Sequence, residues 1–537
     1  MKTNFASFGM KLEPFYSYSS NSLSTLFRLL LFRSNPFWTQ LSYFLTISLV
    51  GYLALSVFSK PRTDNTLSFM PKELDLFFTS VSAVTVSSMS TIEMEVFSNS
   101  QLVILTILMF LGGEVFVSML GIQIERSKFP EHQVSTSNNH VSYSHSTVDQ
   151  IELKRISHSR PENDDNPNNL IDIENGKKLS SDIDNNLDLK HSSIRYLGYV
   201  VLGYLLVVHV VGSALVSSYI TIFPSARKVL KSKGIEIQMF SVFTTVSTFA
   251  NCGFVPTNEN MIVFKRNSGL LLLLISQILL GNTLYPSCLW IVIWVLGKIT
   301  KSRECSYLLR NFREIGYDHL FSGLHSTLLA LTVFGFILVQ LILFCSLDWN
   351  LEAMDGMSFY QKFVASLFQV VNSRHAGESV VDISTISSAI LVLFVVMMYL
   401  PPYTSFLPVK DQKKVSINGD SGRKNNLLEC FILSPLSYLA IFVILICITE
   451  REKMKSDPLN FNVLNIIIEV TSAYGNTGFS NGYSCERQLK PDGNCIDKSY
   501  GFSGKWSSEG KFVLIIVMFF GRLKKFSMEG GKAWKMS

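Results

Sequence analysis

Four short strips of small residues recur along the chain: Ser87-Ser88-Met89-Ser90, Asn251-Cys252-Gly253-Phe254, His375-Ala376-Gly377-Glu378 and Asn476-Thr477-Gly478-Phe479. Brought together, such strips could form a ring of backbone carbonyls. A cation gives up its hydration shell only where substitute oxygens are supplied, and carbonyls supply them when the chain can turn them toward one axis. Glycine permits the backbone angles this needs. Phe78 and Phe243 stand ten residues upstream of Ser88 and Gly253 and align the first two strips; the third and fourth align on Gly377 and Gly478. The ring then reads Ser, Gly, Gly, Gly. One glycine near an aromatic is an ordinary turn, but three at the same place in a fourfold pattern point to a shared role.

The elements that must position these strips are apolar. Each strip ends a stretch of 11 to 13 residues (74–86, 239–249, 360–371 and 464–474). Such a stretch is too short to cross the roughly 30 Å hydrocarbon core and reads as a re-entrant helix. Longer apolar blocks flank each one: 37–58 and 102–124, 194–223 and 270–296, 324–344 and 386–403, 432–449 and 511–526. The order long, short, long occurs four times, which is an internal repeat of a whole unit. Irregular backbone at membrane depth is tolerated only where protein buries it or water reaches it. The expected fold is therefore an all-α membrane protein, with four fused helix, pore-loop, helix units around one central pore and eight transmembrane helices.

Composition agrees. Of 537 residues, 47% are hydrophobic and 16% charged, with a mean hydropathy of +0.28. These values exclude a disordered or fibrous chain. The formal net charge is +6 and no basic run reads as a nucleic-acid patch. The expected divisions are an N-terminal segment (1–36), the first unit (37–124), a flexible polar linker (125–193), the second unit (194–297), a basic joint (298–323), the third unit (324–405), a second basic joint (406–430), and the fourth unit with its tail (431–537). Lysines and arginines in the joints and tail place these on the cytoplasmic side, with both termini inside and the short segments entering from outside. Arg227, Lys228, Lys231 and Lys233 break this asymmetry, because they fall in an outer segment. The first 36 residues read as an interfacial amphipathic start rather than a signal peptide.

No phosphate-cradling Gly-x4-Gly-Lys-Ser/Thr loop, His-Glu-x-x-His zinc helix or nucleophile elbow occurs. ATP-driven pumping and intramembrane hydrolysis lack their chemistry, and the reading is of a non-enzyme with no cofactor.

Acidic residues follow the strips: Glu93 and Glu95, Glu259, and Glu378 directly after its glycine. In an outer vestibule they would concentrate cations; alternatively they bond loop amides or pair with neighbouring cations. Charges inside apolar spans are functional candidates by default. Glu114 and Arg522 fall at similar depth in the second and last spans, and in a closed ring these spans are neighbours, so the two are expected to approach each other across that seam. Alternatively Arg522, with Lys525 three positions on, forms a constriction below the ring. Cys485 and Cys495 share a polar outer loop as a disulfide or as two thiols. His209 is a packing residue, and Pro401-Pro402 ends or bends the sixth span.

The chain resembles the plant high-affinity potassium transporters, the HKT family, over nearly its whole length outside 125–193. The resemblance is carried by Val86-Ser87-Ser88-Met89-Ser90-Thr91-Ile92-Glu93-Met94-Glu95-Val96-Phe97-Ser98-Asn99, Asn251-Cys252-Gly253-Phe254-Val255-Pro256-Thr257-Asn258-Glu259-Asn260, Asn372-Ser373-Arg374-His375-Ala376-Gly377-Glu378, Gly475-Asn476-Thr477-Gly478-Phe479-Ser480 and Phe519-Phe520-Gly521-Arg522-Leu523-Lys524-Lys525-Phe526. It implies passive transport of monovalent cations through a selectivity filter of Ser88, Gly253, Gly377 and Gly478. It also implies a homodimer with one pore per chain, in the plasma membrane. Serine at the first filter position resembles the sodium-selective subfamily, so Na⁺ is the expected cargo. A Na⁺/K⁺ symporter or K⁺ transporter on the same scaffold is the alternative. A non-conducting membrane sensor or scaffold is the reading from another class.

Overall fold

The computed structural model describes residues 36–58, 71–127, 169–405, 435–489 and 495–527, with side chains at 125–187 and beyond 524 excepted. The expected amphipathic start, most of the first linker, the 406–430 joint and the end of the tail lie outside the described residues, as does the side chain of Lys525. Among the described residues all regular structure is helical.

Fourteen helices carry the architecture. They are α1 (Pro36–Val57), α2 (Glu73–Val84), α3 (Asn99–Gly112), α4 (Glu114–Ser127), α5 (Asn169–Ile222), α6 (Ile237–Ala250), α7 (Ser268–Gly281), α8 (Tyr285–Thr300), α9 (Gly323–Leu347), α10 (Phe359–Asn372), α11 (Ser388–Tyr399), α12 (Pro435–Thr449), α13 (Val463–Gly475) and α14 (Ser508–Ser527). The four segments expected to be short are α2, α6, α10 and α13. They lie at the centre: Phe78, Ser80, Phe243, Thr244, Phe368, Gln369, Ile466 and Glu469 are each fully buried.

The long helices surround them. By length and composition α1 (from Phe37), the 188–222 part of α5, and α9 are long and apolar enough to cross a membrane, and only 22%, 28% and 33% of their apolar windows are buried. Leu53, Val210, Leu331 and Ile342 face outward on them. A large apolar surface of this kind requires an apolar environment.

The inner helices differ from straight spans. The expected span over 102–124 is the pair α3 and α4, bent by 56° at Gly113, and that over 270–296 is the pair α7 and α8, bent by 82°. Counting each pair as one span gives five candidates among the described residues. Each break follows a glycine packed against a short helix. A Cβ on Gly112 would lie 2.0 Å from the Val84 carbonyl oxygen, one on Gly281 1.9 Å from that of Phe249, and one on Gly521 2.0 Å from that of Tyr474. Three inner helices thus lay a glycine against the last turn of the preceding short helix, and two of them break just beyond it. The expected 386–403 span is helical only through Tyr399, because the residue before a proline disfavours helix and Pro401-Pro402 follow. The 511–526 block lies within α14, which carries Glu509, Lys511, Arg522, Lys524 and Lys525 and is less apolar than its neighbours. α5 begins at Asn169, so the expected flexible linker is helical over 169–193. Polarity alone does not distinguish a solvated helix from a coil.

Candidate functional site

The strips follow the C-termini of the short helices, and neighbouring strips touch. A Cβ built on Gly253 would lie 1.6 Å from the Ala376 carbonyl oxygen and 3.1 Å from Ser88 Oγ. One on Gly377 would lie 2.3 Å from the Thr477 carbonyl oxygen, and one on Gly478 2.2 Å from Ser88 Cβ. Strip one therefore meets strip two, two meets three, three meets four, and four returns to one. The circuit leaves no room for a side chain at the three glycines. The Cβ and hydroxyl of Ser88 fill the remaining quadrant.

The backbone is specialised at the same residues. Gly253, Gly377 and Gly478 have φ of +86°, +68° and +106°, and Ser88 has +54°. Two positions earlier, Val86, Asn251 and Asn476 are also left-handed, at +51°, +58° and +50°. Three strips thus alternate left-handed residues with an ordinary one. A non-glycine residue held there costs roughly 1–2 kcal/mol. Helix ends add charge, since each C-terminus carries a partial negative charge equivalent to about half an electron. Four such ends lead into one circuit and favour a cation.

Polar side chains hold the strips from outside. Asn476 Nδ2 donates to Ser87 Oγ at 2.7 Å and to the Met518 carbonyl at 3.2 Å, joining strips four and one to α14. Thr283 Oγ1 and His375 Nε2 are 2.8 Å apart. The Glu378 amide donates to Asn372 Oδ1 at 3.1 Å, and the Gly501 amide donates to the Ser90 carbonyl at 3.0 Å.

The other residues singled out in the sequence fall in several places. Glu378 is fully buried and accepts from Thr248 Oγ1 at 2.7 Å, so it bridges α6 to the third strip instead of facing an open vestibule. Lys233 Nζ lies 2.5 Å from both Glu95 Oε1 and Glu259 Oε2, and Lys498 lies 3.4 Å from Glu93. These three carboxylates are therefore paired. Partial burial works against the Lys233 charge, but hydrogen bonds to Glu259 and Glu95 hold its ammonium above the usual lysine range. Arg522 is buried and donates to the Gly112 carbonyl at 2.5 Å, two residues before Glu114, and the two charges interact electrostatically. Glu114 also accepts from Tyr403 Oη at 2.9 Å. Cys485 and Cys495 form a disulfide. His209 Nδ1 lies 2.7 Å from the Leu205 carbonyl and its ring packs on Phe249.

Sequence reasoning missed several participants. Lys511 reaches Asp75 at 2.6 Å, a buried ion pair tying the start of α14 to the start of α2. Arg374 Nη2 donates to the Pro401 and Pro402 carbonyls at 2.5 and 3.2 Å, satisfying backbone exposed where α11 stops. Neither pair has a spacing that would reveal it. Lys233 did leave a signal, as a basic residue on the wrong side of the charge asymmetry.

These features define a polytopic, all-helical membrane protein whose centre is a circuit of backbone suited to a cation. A family described as TrkH, "Cation transport protein", matches residues 178–407 and 404–529. The chain is 50% identical to "Cation transporter HKT1;3" of Oryza sativa subsp. japonica, across 98% of this chain and 96% of that protein. It is 51% identical to "Sodium transporter HKT1" of Arabidopsis thaliana, across 89% and 90%. It is 40% identical to "Cation transporter HKT2;4" of Oryza sativa subsp. japonica, across 94% and 95%. The chain belongs to the HKT family of cation transporters, within the TrkH cation transport proteins, and is a transporter rather than an enzyme.

Proposed function

We propose that the protein carries Na⁺ passively down its electrochemical gradient, through one pore per chain, across the plasma membrane. Four helix, pore-loop, helix units with eight spans surround that pore, both termini are cytoplasmic, and the chain works as a homodimer. The filter is the circuit of Ser88, Gly253, Gly377 and Gly478. The observation that carries this reading is the mutual contact of the four strips, with a left-handed backbone at each of these residues.

Sodium is favoured over potassium by the Ser88 quadrant. Its Cβ and hydroxyl occupy space left open at the glycines, and its strained backbone fixes that quadrant's carbonyl geometry. A reshaped ring fails to replace the shell of the larger K⁺, while Na⁺ passes retaining part of its water. The Arabidopsis relative, a sodium transporter, points the same way. The test is electrophysiological: cells expressing the protein should carry a current whose reversal potential follows external Na⁺. A reversal potential that follows K⁺ equally would replace this reading with potassium or mixed transport, and no cation current at all would leave only a sensor or scaffold.

A further inference from the structure

Neighbouring strips are tied by the chain just beyond them. Between the first two, the Glu95 amide donates to Asn258 Oδ1 at 2.9 Å and the Asn258 amide to Glu95 Oε1 at 3.0 Å. Between the second and third, the Met261 amide donates to the Ser379 carbonyl at 3.1 Å. The seam between the fourth strip and the first, where Ser88 faces Gly478, is tied by a later segment, 499–503, in the connection from α13 to α14. The Gly501 amide donates to the Ser90 carbonyl at 3.0 Å, the Phe502 amide to Ser480 Oγ at 2.8 Å and the Ser503 amide to Glu469 Oε1 at 2.8 Å. Three consecutive amides thus hold strip one, strip four and α13. Ser90 and Ser480 each stand two residues beyond Ser88 and Gly478. The Ser499 amide adds a bond to Glu93 Oε1 at 3.1 Å.

The segment is anchored at both ends. Upstream, Cys495 is joined to Cys485, whose amide donates to Asp497 Oδ1 at 2.7 Å. Downstream, the Ser507 amide and hydroxyl donate to Glu450 Oε1 at 2.8 and 2.6 Å. Phe502, Ser503 and Glu469 are fully buried. A Cβ on Gly501 would lie 3.1 Å from the Ser90 carbonyl oxygen and 3.4 Å from both Glu469 Oε1 and Ser480 Oγ, so the junction is filled. A non-glycine residue such as Ser88 stays left-handed only where its surroundings over-determine it. Buried, hydrogen-bonded polar networks supply that rigidity.

We propose that the 499–503 segment, keyed to the buried carboxyl of Glu469, is a positioning element for ion selectivity. By holding Ser90 and Ser480 it keeps Ser88 in its strained backbone against Gly478. None of its residues belongs to the circuit. The proposal rests on the reading that Ser88 discriminates between Na⁺ and K⁺. Loosening the segment lets the first strip relax, and K⁺ then passes more readily.

The test is the whole-cell reversal potential, with Na⁺ exchanged for K⁺, of the wild type, Glu469→Ala, Glu469→Gln, Gly501→Ala, Ser88→Gly and the double variant Ser88→Gly with Glu469→Ala. Glu469→Ala leaves the Ser503 amide buried without its acceptor and should raise K⁺ permeability relative to Na⁺ at least about threefold. Gly501→Ala keeps the carboxyl but wedges the junction, and should shift the ratio the same way; it carries the test if Glu469→Ala fails to reach the cell surface. Glu469→Gln retains an acceptor oxygen and should stay near the wild type. In the Ser88→Gly background Glu469→Ala should add little, because the strain it holds is already gone. A merely structural role would lower the current of both ions and leave their ratio unchanged. An unchanged ratio in Glu469→Ala and Gly501→Ala, or a shift of the same size in the Ser88→Gly background, overturns the proposal, and a shifted ratio in Ser88→Gly alone then leaves the reading of Ser88 standing. A Ser88→Gly ratio equal to the wild type removes that reading and the proposal with it.

Discussion

Replacing Ser88 with glycine perturbs the one quadrant of the circuit that carries a side chain. Ser88 sits at φ +54°, a conformation costing a non-glycine residue roughly 1–2 kcal/mol. Glycine releases that strain but loses about 0.5–1 kcal/mol through its greater freedom when unfolded. Stability should therefore change by no more than about 1.5 kcal/mol, and surface expression should be retained. Selectivity should not be retained. The Ser88 Cβ lies 2.2 Å from where a Cβ on Gly478 would stand, so removing it empties the seam between the first and fourth strips and lets the ring become fourfold. If the released strain was shaping the ring against K⁺, its 1–2 kcal/mol sets the ceiling, a rise of about 5–30-fold in K⁺ permeability relative to Na⁺. The assay is whole-cell reversal potential as external Na⁺ is exchanged for K⁺. The wild type should shift strongly negative and Ser88→Gly much less. A well-expressed variant whose reversal potentials match the wild type would refute the role given to the serine.

Other perturbations follow from the same geometry. Gly253→Ala, whose new Cβ would lie 1.6 Å from a carbonyl oxygen, should abolish Na⁺ current, whereas Gly203→Ala, with nothing within 4 Å, should leave it unchanged. Gly478→Ala meets the Ser88 side chain, so in a double-mutant cycle it should be less damaging in the Ser88→Gly background than alone; additivity would show that the two strips do not touch. Breaking the buried pair by Lys511→Met or Asp75→Asn should cost about 3–5 kcal/mol and lower the unfolding midpoint in detergent. The double replacement Asp75→Leu with Lys511→Met should recover most of that loss, because no charge is then buried alone.

The four short helices are legible in the sequence because their signals are local. Apolar length separates α2, α6, α10 and α13 from α1, α5 and α9, and the glycines at 253, 377 and 478 mark positions where both backbone angle and space demand them. Contacts between distant segments are not written locally. Lys233 meets Glu95 across 138 residues and Lys511 meets Asp75 across 436, and only the folded chain shows that Glu93, Glu95 and Glu259 are paired. The bends after α3 and α7 follow Gly112 and Gly281, which pack on Val84 and Phe249, but Gly521 packs on Tyr474 in the same way inside an unbroken helix, so such a glycine does not by itself mark a bend. Hydropathy smooths over them, since both halves of each broken helix are apolar. Glu378 shows the opposite error: a carboxylate next to a glycine in a loop looks solvent-facing until Thr248 arrives from another unit.

The central claim is that ions pass through the circuit that Ser88 completes, and a single added thiol tests it. Purified Ser88→Cys protein in liposomes, made in a Cys252→Ser background because the second strip already holds that thiol, should carry Na⁺ flux that Ag⁺ blocks stoichiometrically and a thiol reductant restores, with the flux of the Cys252→Ser protein unaffected at the same concentration. Equal resistance of both proteins to Ag⁺, with flux intact, would put the ion path elsewhere and contradict the account.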